Sequence, residues 1–176
     1  MKKILLLSML FTSFVFAITK EEVYHLYQNH DYKHTCQRGV WILNEYKNDD
    51  AYQSIVAISC VKADMLNTAI RISKTMNHTK LGRNNASYIA TLYLIKRLLL
   101  QVVWDNIDIS HLSLPKSNHH LSIVFENISH NNFSKTNNVY TITADGNKYV
   151  LSPEENNKIA IKIYKNNVLV SKHVYW

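Results

Sequence analysis

The chain has 176 residues, of which 47% are hydrophobic and 19% charged, and its formal net charge is +7 at pH 7. This composition is typical of a globular protein and excludes disordered and collagen-like classes. The positive charge is spread along the chain, whereas nucleic-acid binding usually needs a basic cluster. Only three glycines occur, far apart at Gly39, Gly82 and Gly146. Phosphate-binding loops need several neighbouring glycines, so the sequence argues against nucleotide sites.

The N-terminus has the organisation of an export signal. Lys2 and Lys3 precede a short apolar run from Ile4 to Phe16, and the small residue Ala17 follows. This order is typical of a secretory signal peptide, and the run is shorter than the ~20 apolar residues of a membrane span. We predict a signal peptide at residues 1–17, cleavage after Ala17, and a periplasmic or secreted protein. An uncleaved anchor or a buried helix is the alternative.

A second apolar stretch, from Tyr88 to Trp104, carries Lys96 and Arg97 at its centre. Charged side chains are costly within a lipid bilayer. We therefore expect an amphipathic helix of a soluble protein here, and no transmembrane span after signal cleavage.

Two cysteines, Cys36 and Cys60, are the only ones in the chain. In an exported protein such a pair predicts one structural disulfide. A reactive thiol or a metal ligand is the alternative, but no C-x-x-C motif supports a redox site.

Five helices are predicted between residues 19 and 104. The capping box Thr19–Glu22 starts the first helix, and hydrophobic spacing marks the others. The second runs from a cap at Asp31 to about Tyr46, the third contains Ile55–Val61, the fourth is capped by Asp64 and reaches Met76, and the fifth runs from Ala86 to Trp104 after a loop at 77–85.

From His120 onward the hydrophobic pattern alternates, which predicts strands. Asp145-Gly146 is a strong hairpin turn, and Asn166-Asn167 is a second candidate turn. Five antiparallel strands are predicted, around Leu121–Phe125, Val139–Thr143, Lys148–Leu151, Ile159–Ile163 and Val168–Val174. The predicted fold class is α+β, with antiparallel helical hairpins at 18–114 followed by a small antiparallel β region at 115–176, packed on or beside the helices.

A weak internal repeat relates Tyr27–Cys36 to Cys60–Ala69 at an offset of 33 residues. In this alignment Asp31 matches Asp64, Thr35 matches Thr68, and Arg38 matches Arg71. The helix–turn–helix segments resemble tetratricopeptide repeats of the Sel1 type, whose period is about 34 residues. The resemblance implies a concave groove that binds a peptide or another protein, without catalysis. Two ordinary helical hairpins are the alternative.

Histidines are the first candidate ligands in the sequence. His30 and His34 are four residues apart, and His119 and His120 are adjacent, so zinc or copper could be bound. However, the break at Asn29–Asp31 places His30 in a turn, and His119 and His120 would project to opposite sides of an extended chain. We therefore favour surface positions for all four, and predict no metal and no cofactor.

Arg83 lies in the predicted loop before the fifth helix, beside Asn84 and Asn85. An arginine at a helix N-terminus can hold a carboxylate or a phosphate. This loop, together with Arg38 and Arg71, is the predicted anion-binding or partner-binding site. The alternative is that Asn84 or Asn85 caps the helix and that Arg83 is solvated.

No catalytic motif appears, because the sequence lacks both a G-x-S-x-G serine elbow and a recognisable Cys–His signature. We therefore expect an exported, non-catalytic protein-interaction or scaffold module of the cell envelope. Its partner would be another envelope protein or a peptide, in the helical groove or along a sheet edge. A small-ligand or metal-binding protein that uses histidines is the alternative, and an unrecognised hydrolase is the third possibility.

Overall fold

The computed structural model describes residues 18–176, so the signal peptide predicted at 1–17 lies outside the described residues. Helices come first along the chain and a five-stranded antiparallel sheet follows, which confirms the predicted α+β class. The helices are α1 (Lys20–Gln28), α2 (Tyr32–Trp41), a short 3₁₀ helix (Leu43–Tyr46), α3 (Asp50–Lys62), α4 (Leu66–Ser73), α5 (Lys80–Trp104) and α6 (His120–Ser129). The strands are β1 (Ser134–Thr136), β2 (Val139–Ala144), β3 (Asn147–Glu154), β4 (Lys158–Lys165) and β5 (Val168–Tyr175).

Side-chain caps begin the first three α-helices, and those at Thr19 and Asp31 were predicted from the sequence. Thr19, Asp31 and Asp49 each accept a hydrogen bond from the backbone N–H three residues later. Such caps satisfy N–H groups that have no partner inside the helix. The second helix ends earlier than predicted, at Trp41, and residues 43–46 form the 3₁₀ turn instead.

The prediction that Asp64 caps the fourth helix is wrong. Met65 is the N-cap of α4 and makes no side-chain cap hydrogen bond. Asp64 precedes it with a φ of 60°, and His30 has the same φ between α1 and α2. Aspartate tolerates this left-handed conformation better than most residues do. Because it does not cap α4, the Asp64 carboxylate is free to contact other elements.

The predicted disulfide between Cys36 and Cys60 is present and joins α2 to α3, with 4.9 Å between the two Cα atoms. Gly39 lets these helices approach closely, because an added Cβ would lie 2.5 Å from Cγ2 of Val56. The Tyr52 hydroxyl donates a hydrogen bond to the Gly39 carbonyl, at 3.1 Å. The disulfide and this close contact hold the hairpin α3–α4 against the hairpin α1–α2.

Helix α5 begins at Lys80, not at Ala86 as predicted, because Thr79 caps it by accepting from the Gly82 N–H. Gly82 is required there, since a Cβ would lie 2.1 Å from Oδ2 of the buried Asp50. Among the described helices, α5 alone is long and apolar enough to cross a membrane. In this structure it packs against α3, α4, α6 and strands of the sheet.

The first predicted strand, Leu121–Phe125, is wrong because these residues belong to α6. The buried side chains of Leu121, Val124, Phe125 and Ile128 recur at helical spacing. The Nδ1 atom of His119 accepts a hydrogen bond from the Leu121 N–H and caps the helix. The fifth strand is instead the short β1, after α6.

The sheet has the strand order β1-β2-β3-β4-β5, and all neighbouring strands are antiparallel. Asp145-Gly146 and Asn166-Asn167 form two of its turns with positive φ at both positions, as the sequence predicts for tight hairpins. One face of the sheet joins the helices in a continuous core that extends from Val23 to Tyr175. This packing brings β5 beside the turn between α3 and α4.

Candidate functional site

The predicted loop site around Arg83 is not a loop in the structure. Arg83, Asn84 and Asn85 lie within the first turns of α5, and the cap is Thr79, not Asn84 or Asn85. The Arg83 guanidinium donates a hydrogen bond to the Asn77 carbonyl, at 2.9 Å. The sequence analysis missed the cap because threonine at 79 was assigned to a polar loop. An anion-binding role for Arg83 stays a prediction.

The other two arginines of the predicted site lie on different helices. Arg38 pairs with Glu22 and so links α2 to α1. Arg71 is exposed in the last turn of α4. The three arginines thus belong to three separate helices, and Arg38 already has an acidic partner.

His30 and His34 occupy surface positions, as the sequence analysis favoured. His30 lies in the turn between α1 and α2, where its Nδ1 is 2.8 Å from the Tyr32 hydroxyl. The Nδ1 atom of His34 lies 2.8 Å from Oδ2 of Asp31, the cap of the same helix. Each histidine therefore has a local hydrogen-bond partner.

His119 and His120 instead belong to a cluster that joins distant parts of the chain. We call it the junction cluster; its members are Asp64 in the α3–α4 turn, His119 and His120 at the start of α6, and His173 and Tyr175 on β5. The prediction that His119 and His120 project to opposite sides is wrong, since their ring centroids lie 4.1 Å apart with the ring planes tilted by 33°.

Hydrogen bonds connect the cluster through the Asp64 carboxylate. Oδ1 of Asp64 accepts from the Tyr175 hydroxyl at 2.6 Å, and Oδ2 lies 2.8 Å from Nδ1 of His173. The Tyr175 oxygen is also 2.5 Å from Nε2 of His120. Nε2 of His173 lies 3.1 Å from Oγ of Ser171. Both carboxylate oxygens of Asp64 and both ring nitrogens of His173 therefore have hydrogen-bond partners.

The rings of His119 and His120 are largely shielded from solvent, which favours the neutral form of these two side chains. The rings of His120 and His173 stack at 3.9 Å. Burial lowers the pKa of His119 to about 4, with Asp64 opposing the shift. Burial and the two neighbouring histidines lower the pKa of His120 to about 2. Burial and the adjacent Asp64 raise the pKa of Tyr175, so its phenol stays protonated.

A pocket of about 330 Å³, including its mouth, adjoins the cluster and is lined in part by Asp64 and Tyr175. Its lining also contains Lys96, whose Nζ donates to Oδ1 of Asn67 at 2.6 Å and to the carbonyl of Trp176 at 2.7 Å. Burial lowers the pKa of Lys96 to about 8. Lys96 thus connects α5 to α4 and to the residue that follows β5.

Ser171, His173 and Asp64 are linked by hydrogen bonds in the same order as the nucleophile, base and acid of a serine hydrolase triad. A hydrolase also needs a cleft where the substrate carbonyl meets the nucleophile. The pocket beside the cluster is lined by Asp64 and Tyr175 but not by Ser171. This pocket therefore does not bring a substrate to the Ser171 hydroxyl.

The second notable surface is the edge strand β5, which pairs with β4 on one side only. Its first three side chains are apolar and exposed: Val168 at 65%, Leu169 at 49% and Val170 at 57%. Leu169 and Ser171 face consecutive residues of β4, so Val170 is the extra residue of a bulge. These three side chains form the apolar segment of β5.

Comparison with known proteins found no match among protein-family models, curated proteins or solved structures.

Proposed function

We propose that this chain is an exported, non-catalytic interaction module of the cell envelope. Its partner is a polypeptide that binds as an extended segment along β5. The observation that carries the proposal is the apolar segment Val168–Val170, exposed on an edge strand of eight residues. The tetratricopeptide resemblance is not needed for this proposal and stays a prediction.

Edge strands carry unpaired backbone N–H and C=O groups, which can pair with another chain. The edge strand β1 is protected by its shortness, with only the three polar residues Ser134–Thr136. In contrast, β5 is long and begins with exposed apolar side chains. A partner strand would gain main-chain hydrogen bonds along β5 and apolar contacts at the segment.

The bulge at Val170 and the charge of Lys172 limit indiscriminate pairing along this edge, since bulges and lysines are common protections of edge strands. Lys172 forms an ion pair with Glu154, at 2.8 Å. These features favour one specific partner strand over self-aggregation.

A helical groove has less support as the binding surface. Most large apolar side chains exposed on the helices stand alone, at Trp41 on α2 and at Leu81 and Leu94 on α5. Trp104, the last residue of α5, lies beside Trp176 in an open pocket outside the helical hairpins. Isolated exposed apolar residues are normal on a protein surface, whereas contiguous patches mark interaction sites. The apolar segment of β5 therefore favours the sheet edge.

Export is supported by the disulfide between Cys36 and Cys60, which is typical of an oxidising compartment. The signal peptide predicted at residues 1–17 would deliver the chain to the periplasm or outside the cell. We predict that α5 does not span a membrane, because the charged Lys96 at its centre is buried within the protein fold and would be costly in a lipid bilayer.

The test is co-purification from the cells that make the protein, without reductant, comparing two double variants. Leu169→Lys with Val170→Lys places charge on β5, and Leu81→Lys with Leu94→Lys places the same charge on α5. Surface changes of this kind alter stability by about 0.5 kcal/mol or less, which thermal unfolding would verify. We expect a stoichiometric polypeptide with the wild type and the α5 variant, and its loss with the β5 variant. Equal recovery with the β5 variant would overturn the proposal.

A further inference from the structure

We propose that Asp64, His120 and His173 form a binding site for a divalent transition-metal ion, with Zn²⁺ as the reference cation. His173 lies on β5, but the site does not include the apolar segment Val168–Val170, and the proposal does not depend on the polypeptide partner. One ligand atom from each of the three residues lies within 4.8 Å of the other two.

The spacing of the ligand atoms suits a small cation. Zn²⁺ bonds nitrogen and oxygen ligands at about 2.0–2.2 Å, which puts tetrahedral ligand atoms roughly 3.3–3.6 Å apart. Oδ2 of Asp64 is 2.8 Å from Nδ1 of His173, and Oδ1 of Asp64 is 3.9 Å from Nε2 of His120. These two distances involve different oxygens of the Asp64 carboxylate, and one ligand atom from each residue lies within 4.8 Å of the other two. Side-chain rotations would bring the three ligand atoms to the tetrahedral spacing.

The ligands also have the supporting contacts found around metal sites, where the second imidazole nitrogen is usually hydrogen-bonded. Nε2 of His173 lies 3.1 Å from Oγ of Ser171, which fixes the ring when Nδ1 is the ligand. The His119 ring packs against the His120 ring, with centroids 4.1 Å apart, and restricts its rotation. Two imidazoles and one carboxylate are a donor set that zinc accepts.

The Tyr175 hydroxyl lies between two of the ligands, 2.6 Å from Oδ1 of Asp64 and 2.5 Å from Nε2 of His120. A cation bound by Oδ1 of Asp64 and Nε2 of His120 would replace the two hydrogen bonds that the Tyr175 hydroxyl makes with these atoms. Three protein ligands leave a coordination position for water. Because Asp64 and Tyr175 also line the neighbouring pocket, that water has a route to solvent.

The ligands come from the α3–α4 turn, the start of α6 and strand β5. In the chain, Asp64 and His173 are 109 residues apart. A bound cation therefore cross-links the helices to the last strand and stabilises the packing between them. Binding to the folded state alone must raise the unfolding temperature.

The test is titration of Zn²⁺ into the EDTA-treated chain, followed by calorimetry and thermal unfolding. We expect one ion per chain, a Kd of about 1 µM or tighter, and a higher unfolding temperature. Asp64→Asn and His173→Gln should each weaken binding about 100-fold. The control variant His30→Asn with His34→Asn, which alters the exposed pair, should bind like the wild type. Equal affinity in all variants, or less than one ion per chain, would overturn the proposal.

X-ray absorption at the zinc edge, on the unaltered protein, keeps the proposal testable if a variant fails to fold. We expect two imidazole ligands with the remaining ligands oxygen. A spectrum with no imidazole or with sulfur ligands would overturn the assignment.

Discussion

Mild acid should destabilise the metal-free protein through His119 and His120. Burial holds the pKa of His119 at about 4 and that of His120 at about 2 in the folded state. In the unfolded chain both titrate near 6.5. Below pH 6.5 the unfolded state therefore binds more protons than the folded state, and stability falls as the pH falls towards the folded-state pKa values.

The size of the effect follows from this difference in proton binding. When the pH falls from 7 to about 5.5, each histidine that stays neutral in the folded state lowers the free energy of unfolding by about 1.2 kcal/mol. The two histidines together lower it by about 2–3 kcal/mol. Other shifted groups contribute little in this range. Asp31, Asp49 and Asp50 have lowered pKa values and stay ionised, and Lys96, with a pKa of about 8, stays protonated.

Denaturant unfolding of the EDTA-treated protein at both pH values measures the effect. The comparison is with a double variant, His119→Asn with His120→Gln, since asparagine also caps helices well. The variant should lose most of the pH dependence, whereas His30→Asn with His34→Asn should keep it. If the double variant kept the wild-type pH dependence of stability, the explanation that burial of His119 and His120 lowers their pKa values would be refuted.

Two predictions concern the helical hairpins. Gly82→Ala should lower the free energy of unfolding by about 1–3 kcal/mol through overpacking, because the added Cβ would meet the Asp50 carboxylate. Asn84→Ala, on the exposed side of α5, is the control. If denaturant unfolding showed that Gly82→Ala leaves stability unchanged, the close contact would be contradicted. Replacing Cys36 and Cys60 by serine should cost about 3–4 kcal/mol for this loop length, and an unchanged denaturation midpoint would contradict a structural role for the disulfide.

Local signals in the sequence predicted much of the fold. The caps Thr19 and Asp31 and the turn Asp145-Gly146 act within a few residues, so their physical chemistry is visible in the chain itself. The disulfide was predictable because no other cysteine competes for either partner. The α+β order followed from the change in hydrophobic period between the two halves.

The region after His119 shows where local patterns fail. Leu121 and Phe125 fit both an alternating strand and one face of a helix, because four residues separate them. The N-cap of α6 is a histidine, which is not among the usual capping residues, so the sequence carried no clear helix start here. Because this short segment fits both the helical and the strand period, only its tertiary contacts distinguish the two structures.

The junction cluster was only partly predictable. His119 and His120 were recognised as candidates, but their partners on β5 are more than 50 residues further along the chain. Asp64 was assigned a capping role, but the N-cap of α4 is Met65, which makes no side-chain cap hydrogen bond. Sequence patterns do not report such long-range contacts. The positive φ of Asp64 is the structural feature that frees its carboxylate for the cluster.

The most direct test of the proposed function is site-specific photo-cross-linking in the cells that make the protein. A photoreactive amino acid would replace Leu169 in the apolar segment of β5 or, as the control, Lys135 on the opposite edge strand β1. The account predicts a discrete cross-linked product from position 169, reduced by Val170→Lys, and none from position 135. The absence of a product at 169, or equal products at both positions, would contradict the claim that β5 binds the partner.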